Sequence, residues 1–283
     1  MGLATMTEML EEAQAGRYAV GAFNIVDYGS ARVAVEAAEA LKAPMIVQVS
    51  VKTAKFWGVA TIMAWMKEMA SRSAVPVALH LDHCQEVDFI KQCLDAGWTS
   101  VMIDASAKPF AENLAATREV VEMARRTGAS VEAEMGRIVG VEDDLFVKHE
   151  DSSLADPREA VEFCKGLGLA AFAPAIGTAH GIYKGEPKIA FDRLEVIARQ
   201  SGVPIALHGG TGLADDVFRK AIALGCAKVN ISTAIKYAFI DGFVDYHAAH
   251  KEYEPLKPIG AQLEKVREVI TTSIRLFGGE GRA

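Results

Sequence analysis

The sequence predicts an α/β fold: one (β/α)₈ TIM barrel with extra helices at its C-terminal end. Three observations lead there. Eight short apolar runs, many rich in β-branched residues, read as strands. Amphipathic helical patterns separate them. Strands that alternate with helices pair in parallel, and eight such units close into a barrel of about 250 residues. The chain has 283 residues and reads as a single domain over 1–283.

The predicted strands cover residues 19–25, 44–50, 76–83, 100–106, 130–136, 170–177, 204–210 and 227–233. The first helical pattern, over 28–41, sets Val33, Ala37 and Leu41 at helical spacing. Others run over 88–96, 111–127, 157–166, 191–201 and 215–224, and several end at a glycine, as at Gly97, Gly128, Gly202 and Gly225. Residues 241–277 read as the extra helices. A doubly wound open sheet is the alternative. Its G-x-G-x-x-G fingerprint is missing after the first strand, where Val26-Asp-Tyr-Gly29 stands.

Composition excludes several functions. The 51% hydrophobic and 24% charged residues are enough for a full core. A net charge of −7 without a basic run argues against nucleic acid as a partner. No apolar run approaches the roughly 18 residues that span a membrane, and the N-terminal segment lacks a signal-peptide pattern. Four cysteines without C-x-x-C spacing argue against a disulfide framework and against a four-cysteine zinc site. A reducing, cytoplasmic setting is expected.

In such barrels chemistry sits at the C-terminal ends of the strands. The third predicted strand ends in Asp82-His83, and the fourth in Asp104-Ala-Ser106. The fifth carries Glu132 and Glu134, and Gly177-Thr-Ala-His-Gly181 follows the sixth. The seventh ends in His208-Gly-Gly-Thr-Gly212, and the eighth in Asn230-Ile-Ser-Thr233. His83, His180 and His208 therefore gather at one barrel end. Three imidazoles with an open fourth position form the ligand set of a catalytic zinc; three separately hydrogen-bonded histidines are the alternative. His80, earlier on its strand, reads as a core histidine, and His149, His247 and His250 read as surface residues. The glycines after the seventh strand, with Asn230, Ser232 and Thr233, suit a phosphate; two ordinary turns are the plain alternative. Residues 137–151 form a long loop, either a lid with Gly140 as hinge or a solvated acidic segment.

These residues match a known family. The chain resembles the class II, zinc-dependent ketose-bisphosphate aldolases along nearly its whole length. The resemblance is carried by Gly21-Ala-Phe-Asn-Ile25, Ala78-Leu-His-Leu-Asp-His83, Gly97-Trp-Thr-Ser-Val-Met-Ile-Asp104 and Val131-Glu-Ala-Glu-Met-Gly136. It continues in Gly177-Thr-Ala-His-Gly-Ile-Tyr-Lys184, Leu207-His-Gly-Gly210 and Lys228-Val-Asn-Ile231. The stretch between His83 and Gly97 looks most like the tagatose-bisphosphate branch.

The resemblance implies roles. His83, His180 and His208 would hold Zn2+, with Asp104 and Glu134 close by as supporting groups or alternative ligands. Asp82 would exchange a proton with the aldehyde-derived oxygen, and Glu142 would take the proton from dihydroxyacetone phosphate. Asn24, Gly181, Lys184, Gly209, Gly210, Thr211, Asn230, Ile231, Ser232 and Thr233 would bind substrate, chiefly its phosphate. Glu132 looks structural by comparison. A monovalent cation, Na+ or K+, and a homodimer or homotetramer are also implied. The implied reaction is reversible cleavage of a ketose 1,6-bisphosphate, of tagatose or fructose type, to dihydroxyacetone phosphate and an aldehyde such as glyceraldehyde 3-phosphate. A different ketose 1-phosphate, such as a carboxylated inositol-catabolism intermediate, or a non-catalytic partner barrel are the other readings. Lys228 is the strand-interior lysine, at a position that is non-catalytic in the family, which argues against a Schiff-base mechanism.

Three departures bear on substrate. Ser232 stands where the fructose branch usually has aspartate, and Thr211 where serine is usual. Glu254-Pro-Leu-Lys257 replaces an Asp-Pro-Arg whose arginine helps bind the far phosphate. Either Lys257 substitutes, or the second substrate is no conventional sugar phosphate. Ser50, Lys52 and Lys55 are candidates for a further anion site.

Overall fold

The computed structural model describes residues 2–142, 145–147, 153–183 and 185–283; the side chains of 139, 141, 142 and 145–147 lie outside the description. In chain order the elements are α1 (Met6–Gly16), β1 (Val20–Asn24), α2 (Tyr28–Ala40), β2 (Met45–Ser50), α3 (Val51–Trp57), α4 (Val59–Arg72), β3 (Val77–Cys84) and α5 (Val87–Asp95). Next come β4 (Ser100–Ile103), α6 (Phe110–Thr127), β5 (Ser130–Met135), β6 (Val139–Glu142), β7 (Leu145–Val147), α7 (Pro157–Cys164), β8 (Ala171–Pro174) and β9 (Ala179–His180). The chain ends with α8 (Phe191–Ser201), β10 (Ile205–Leu207), α9 (Asp215–Ala223), β11 (Cys226–Ile231), α10 (Thr233–His250) and α11 (Leu256–Leu276). Strands β1, β2, β3, β4, β5, β8, β10 and β11 close into a parallel barrel, as expected.

Two cores flank the barrel wall, because successive side chains on a strand face opposite ways. Phe23, Val47, Leu79, Val101, Phe172 and Val229 face the helices. Val20, Ala22, Ile46, Ala78, Ala171 and Ala206 face the interior, where Met6, Met9, Leu10 and Ala13 of α1 pack on them. Small interior residues leave room for this helix, which plugs the barrel. The sequence reading did not find α1, nor α3 and α4, and it began the tail helices at 241 rather than at Thr233. Helix α11 packs on α2 and β1 and completes the outer ring, while α10 packs on α11.

Part of the loop after β5 is paired into a sheet. Strands β6 and β7 pair antiparallel, and β6 pairs in parallel with β9. Gly140 sits opposite His180 at φ 119°, and a Cβ there would lie 2.1 Å from the His180 carbonyl oxygen. This glycine permits close backbone packing, and in the structure it is a pairing position in the sheet.

Candidate active site

Asp82 and His83 are neighbours on a strand, so alternation alone would send them to opposite faces. Asp82 faces the interior with His80, two residues earlier. His83 joins it because its backbone takes φ 43°, and the β3–β4 register shifts between Leu81 and Cys84. A non-glycine residue in the left-handed region is uncommon and costs strain. Here it turns a second side chain into the barrel mouth.

Three imidazoles meet there. The ring centres of His83 lie 5.0 Å from His180 and 4.6 Å from His208, and one nitrogen of each ring lies within 4.8 Å of the others. Carboxylates surround them. His83 Nδ1 is 3.0 Å from Asp104 Oδ2 and 3.9 Å from Glu134 Oε2. His208 Nε2 is 2.7 Å from Glu132 Oε1, and its Nδ1 lies 3.3 Å from Glu134 Oε2 without a hydrogen bond. His83, Asp104 and Glu134 form a second group of donors close enough for a metal.

The charges respond to one another. Burial would push His83 down, but the carboxylates of Asp82, Asp104 and Glu134 reverse this and raise it to about 10. Burial would likewise lower His208, and the Glu132 and Glu134 carboxylates beside it raise it instead. His180, buried beside the other two imidazoles, is held well below the usual range. Glu132 is pressed upward by burial, yet Lys228 and His208 hold it well below the normal carboxylate range. Burial and Asp104 raise Glu134. Asp104 is lowered by His83 and Ser106 against the effect of burial. Asp82 is lowered by His83 and Lys228, also against burial. Four buried carboxylates thus face a small space with Lys228 beside them, and buried charge on this scale requires compensation.

A metal cation fits that demand. The donors are three imidazoles, the set typical of catalytic zinc. The buried Nδ1 of His208 makes no hydrogen bond, as expected of a nitrogen reserved for coordination.

Asp82 is held by its neighbours. Asn24 Nδ2 donates to Asp82 Oδ2 at 2.8 Å, and Gln48 Nε2 donates to Asn24 Oδ1 at 2.9 Å. Asn230 Nδ2 reaches Asp82 Oδ1 at 3.5 Å. His80 is fully buried, with Nδ1 2.7 Å from Ser100 Oγ and Nε2 3.7 Å from Glu132 Oε2. It is a core histidine, as expected, but it lies beneath the site. Burial and Lys228 lower it to about 3. His247 and His250 lie on α10, while His149 lies outside the described residues.

The glycine-rich ends converge beside the histidines. Gly181 has φ 88° and Gly209 φ 68°; a Cβ on Gly209 would lie 2.4 Å from the Ala179 carbonyl oxygen, and one on Gly210 2.8 Å from that of Asn230. Thr211 Oγ1 accepts from Ala234 N, Ser232 precedes α10, and Thr233 begins it. The buried Ser232 hydroxyl has no hydrogen-bond partner. Ile231 ends β11. Tyr183, which the sequence did not single out, donates its hydroxyl to Gly209 O and accepts from Ala179 N, tying the two loops together. Lys184 lies outside the described residues. Glu142 ends β6, and its side chain lies outside the description.

A cleft of roughly 700 Å³ opens next to this floor. Asn24, Ser50, Gly181 and Thr233 line its polar end, with Lys52 and Lys236; Phe56, Trp57, Ile182 and Tyr237 form its apolar walls. Ser50 also caps α3, accepting from Thr53 N. The other lysines suggested for a second anion site point elsewhere. Lys55 Nζ lies 2.6 Å from Glu86 Oε1, and Lys257 Nζ lies 2.8 Å from Glu252 Oε2.

Residues 4–282 match the family described as fructose-bisphosphate aldolase class-II. A fructose-bisphosphate aldolase of Geobacillus stearothermophilus is 42% identical over 289 aligned residues, covering 100% of this chain and 99% of that protein. One from Staphylococcus aureus (strain Mu50) is 41% identical over 287, covering 100% of both. The solved structure of the YdjI aldolase from Escherichia coli K12 gives a TM-score of 0.87 at 30% identity, covering 99% of each chain. Family members are lyases and generally depend on a metal. A match over nearly every residue, on a barrel of this topology, shows that the chain belongs to the class II fructose-bisphosphate aldolases.

Proposed function

We propose that the chain cleaves a ketose 1,6-bisphosphate, of tagatose or fructose type, reversibly to dihydroxyacetone phosphate and an aldehyde such as glyceraldehyde 3-phosphate, using zinc. The observation that carries this reading is the meeting of His83, His180 and His208 beside Asp82 at the barrel mouth. His83, His180 and His208 would hold the ion, with Asp104 and Glu134 behind them. Bound there, zinc supplies a Lewis acid that stabilises charge developing on the ketone oxygen. Asp82, fixed by Asn24 and Asn230, exchanges the proton on the oxygen of the aldehyde half. Glu142 removes the proton next to the carbonyl. Gly181, Lys184, Gly209, Gly210, Thr211, Asn230, Ile231, Ser232 and Thr233 form the phosphate site, which the buried Ser232 hydroxyl and the α10 N-terminus support. Na+ or K+ near these loops, a homodimer or homotetramer, and a cytoplasmic location complete the reading. Among the described residues no helix is long and apolar enough to cross a membrane.

A second reading keeps the chemistry and changes the aldehyde half. The cleft sets Lys52 and Lys236 among Phe56, Trp57, Ile182 and Tyr237, which suits an aldehyde with an anionic group, a carboxylate included, on an apolar body. The test is an aldol-direction screen of dihydroxyacetone phosphate against a panel of aldehydes, with product stereochemistry assigned. Fastest turnover of glyceraldehyde 3-phosphate supports the first reading, faster turnover of a carboxylated aldehyde the second. No product with any aldehyde overturns both.

A further inference from the structure

Lys228 lies wholly buried inside the barrel on β11. Its Nζ is 2.9 Å from Glu132 Oε2 and donates to Asn230 Oδ1 at 2.7 Å. Each of these partners continues to a different half of the site.

On one side, Glu132 Oε1 lies 2.7 Å from His208 Nε2. A carboxylate only accepts hydrogen bonds, so this contact requires the proton on Nε2. The lone pair of His208 is then on Nδ1, the buried nitrogen that makes no hydrogen bond and lies 3.3 Å from Glu134 Oε2. On the other side, an ammonium only donates, so the atom of Asn230 that meets Lys228 is its oxygen. That choice turns the Asn230 amide nitrogen toward Asp82 Oδ1. The two amides of Asn24 and Asn230 then hold both oxygens of Asp82.

We infer that Lys228 is a positioning residue shared by the two halves of the site: through Glu132 it selects the nitrogen that His208 presents to a metal, and through Asn230 it aims Asp82. In this arrangement the Lys228 ammonium meets Glu132 and Asn230, side chains that stand behind the histidines and Asp82. Without its ammonium, Asn230 is free to turn over, and Glu132 loses the cation that lies 2.9 Å from its far oxygen. Glu132, read from the sequence as structural, becomes the link to the metal ligand.

The first test uses the wild-type protein with 15N-labelled histidine and added zinc. His208 should show a protonated Nε2 and a zinc-shifted Nδ1. An unprotonated Nε2 overturns the inference. The inference rests on His208 as a ligand, and the two fail separately: zinc that binds without moving either nitrogen of His208 sinks the ligand assignment, whereas a coordinated Nδ1 with an unprotonated Nε2 sinks only the relay.

The second test uses variants. Lys228→Met should weaken zinc binding by roughly 10–100-fold in competition with a chromophoric chelator, as losses behind a ligating histidine do. Its kcat at saturating zinc should fall while KM for the ketose phosphate stays within about twofold. Glu132→Gln should weaken zinc binding, and adding Lys228→Met to it should cost little further affinity yet still lower kcat. A Lys228→Met protein with the wild-type circular dichroism spectrum, zinc affinity and kcat overturns the inference. If that variant fails to fold, the histidine spectrum of the wild-type protein decides.

Discussion

The two ends of the barrel interior are built from the same strands and differ in almost every other respect. At the α1 end, Val20, Ala22, Ile46, Ala78 and Ala206 pack against Met6 and Leu10. Two or four residues further along the same faces stand Asn24, Gln48, His80, Asp82 and His208, all buried. The apolar end has no polar obligations and is filled by packing. The polar end is held by directional contacts, each reaching across the barrel. Packing therefore dominates one end and the candidate site occupies the other, the division common to this architecture.

Metal removal should break the polar end most severely. Chelation should remove activity, and zinc or cobalt should restore it, since a Lewis acid supplies several kcal/mol, or roughly 10³-fold or more in rate. Borohydride with substrate should not inactivate, because Lys228 is engaged by Glu132 and Asn230; a trapped Schiff base would overturn the mechanism. Asp82→Asn should lower kcat by roughly 10²–10⁴-fold, with zinc content by metal analysis unchanged.

At the apolar end the effect should be on stability alone. Leu10→Ala should cost about 2–5 kcal/mol in denaturant unfolding, with kcat per folded molecule unchanged. A loss of kcat would show that the two ends are coupled. Gly140→Ala should cost about 1–3 kcal/mol through its clash with the His180 backbone, read as weaker zinc binding. The smallest effect concerns the cysteines. Burial pushes the Cys84 thiol up to about 11 and those of Cys93, Cys164 and Cys226 to about 12. At pH 8 they stay neutral, so a thiol reagent should label none in the native protein and four after unfolding.

Much of this division was legible before the structure. Short β-branched runs and glycine-ended helices are local patterns, and they located the eight strands. The run of polar residues at strand ends pointed to the barrel mouth where His83, His180 and His208 meet. Helix α1 escaped because what it covers lies on distant strands. The β6–β7–β9 sheet escaped because its strands are short and one of its pairings requires Gly140 against a histidine backbone. The pairing of Glu132 with His208 escaped because the two residues are 76 apart in the chain.

By itself the sequence determined the barrel, its order and the residue types at its mouth, because alternation and helical spacing are properties of neighbours along the chain. Only the tertiary structure decided that His83 turns inward at φ 43° beside Asp82. Only it decided that His208 meets Glu132, and that Lys228 joins Glu132 to Asn230. Those choices depend on which donor faces which acceptor across a closed barrel, and that is fixed when the last strand meets the first.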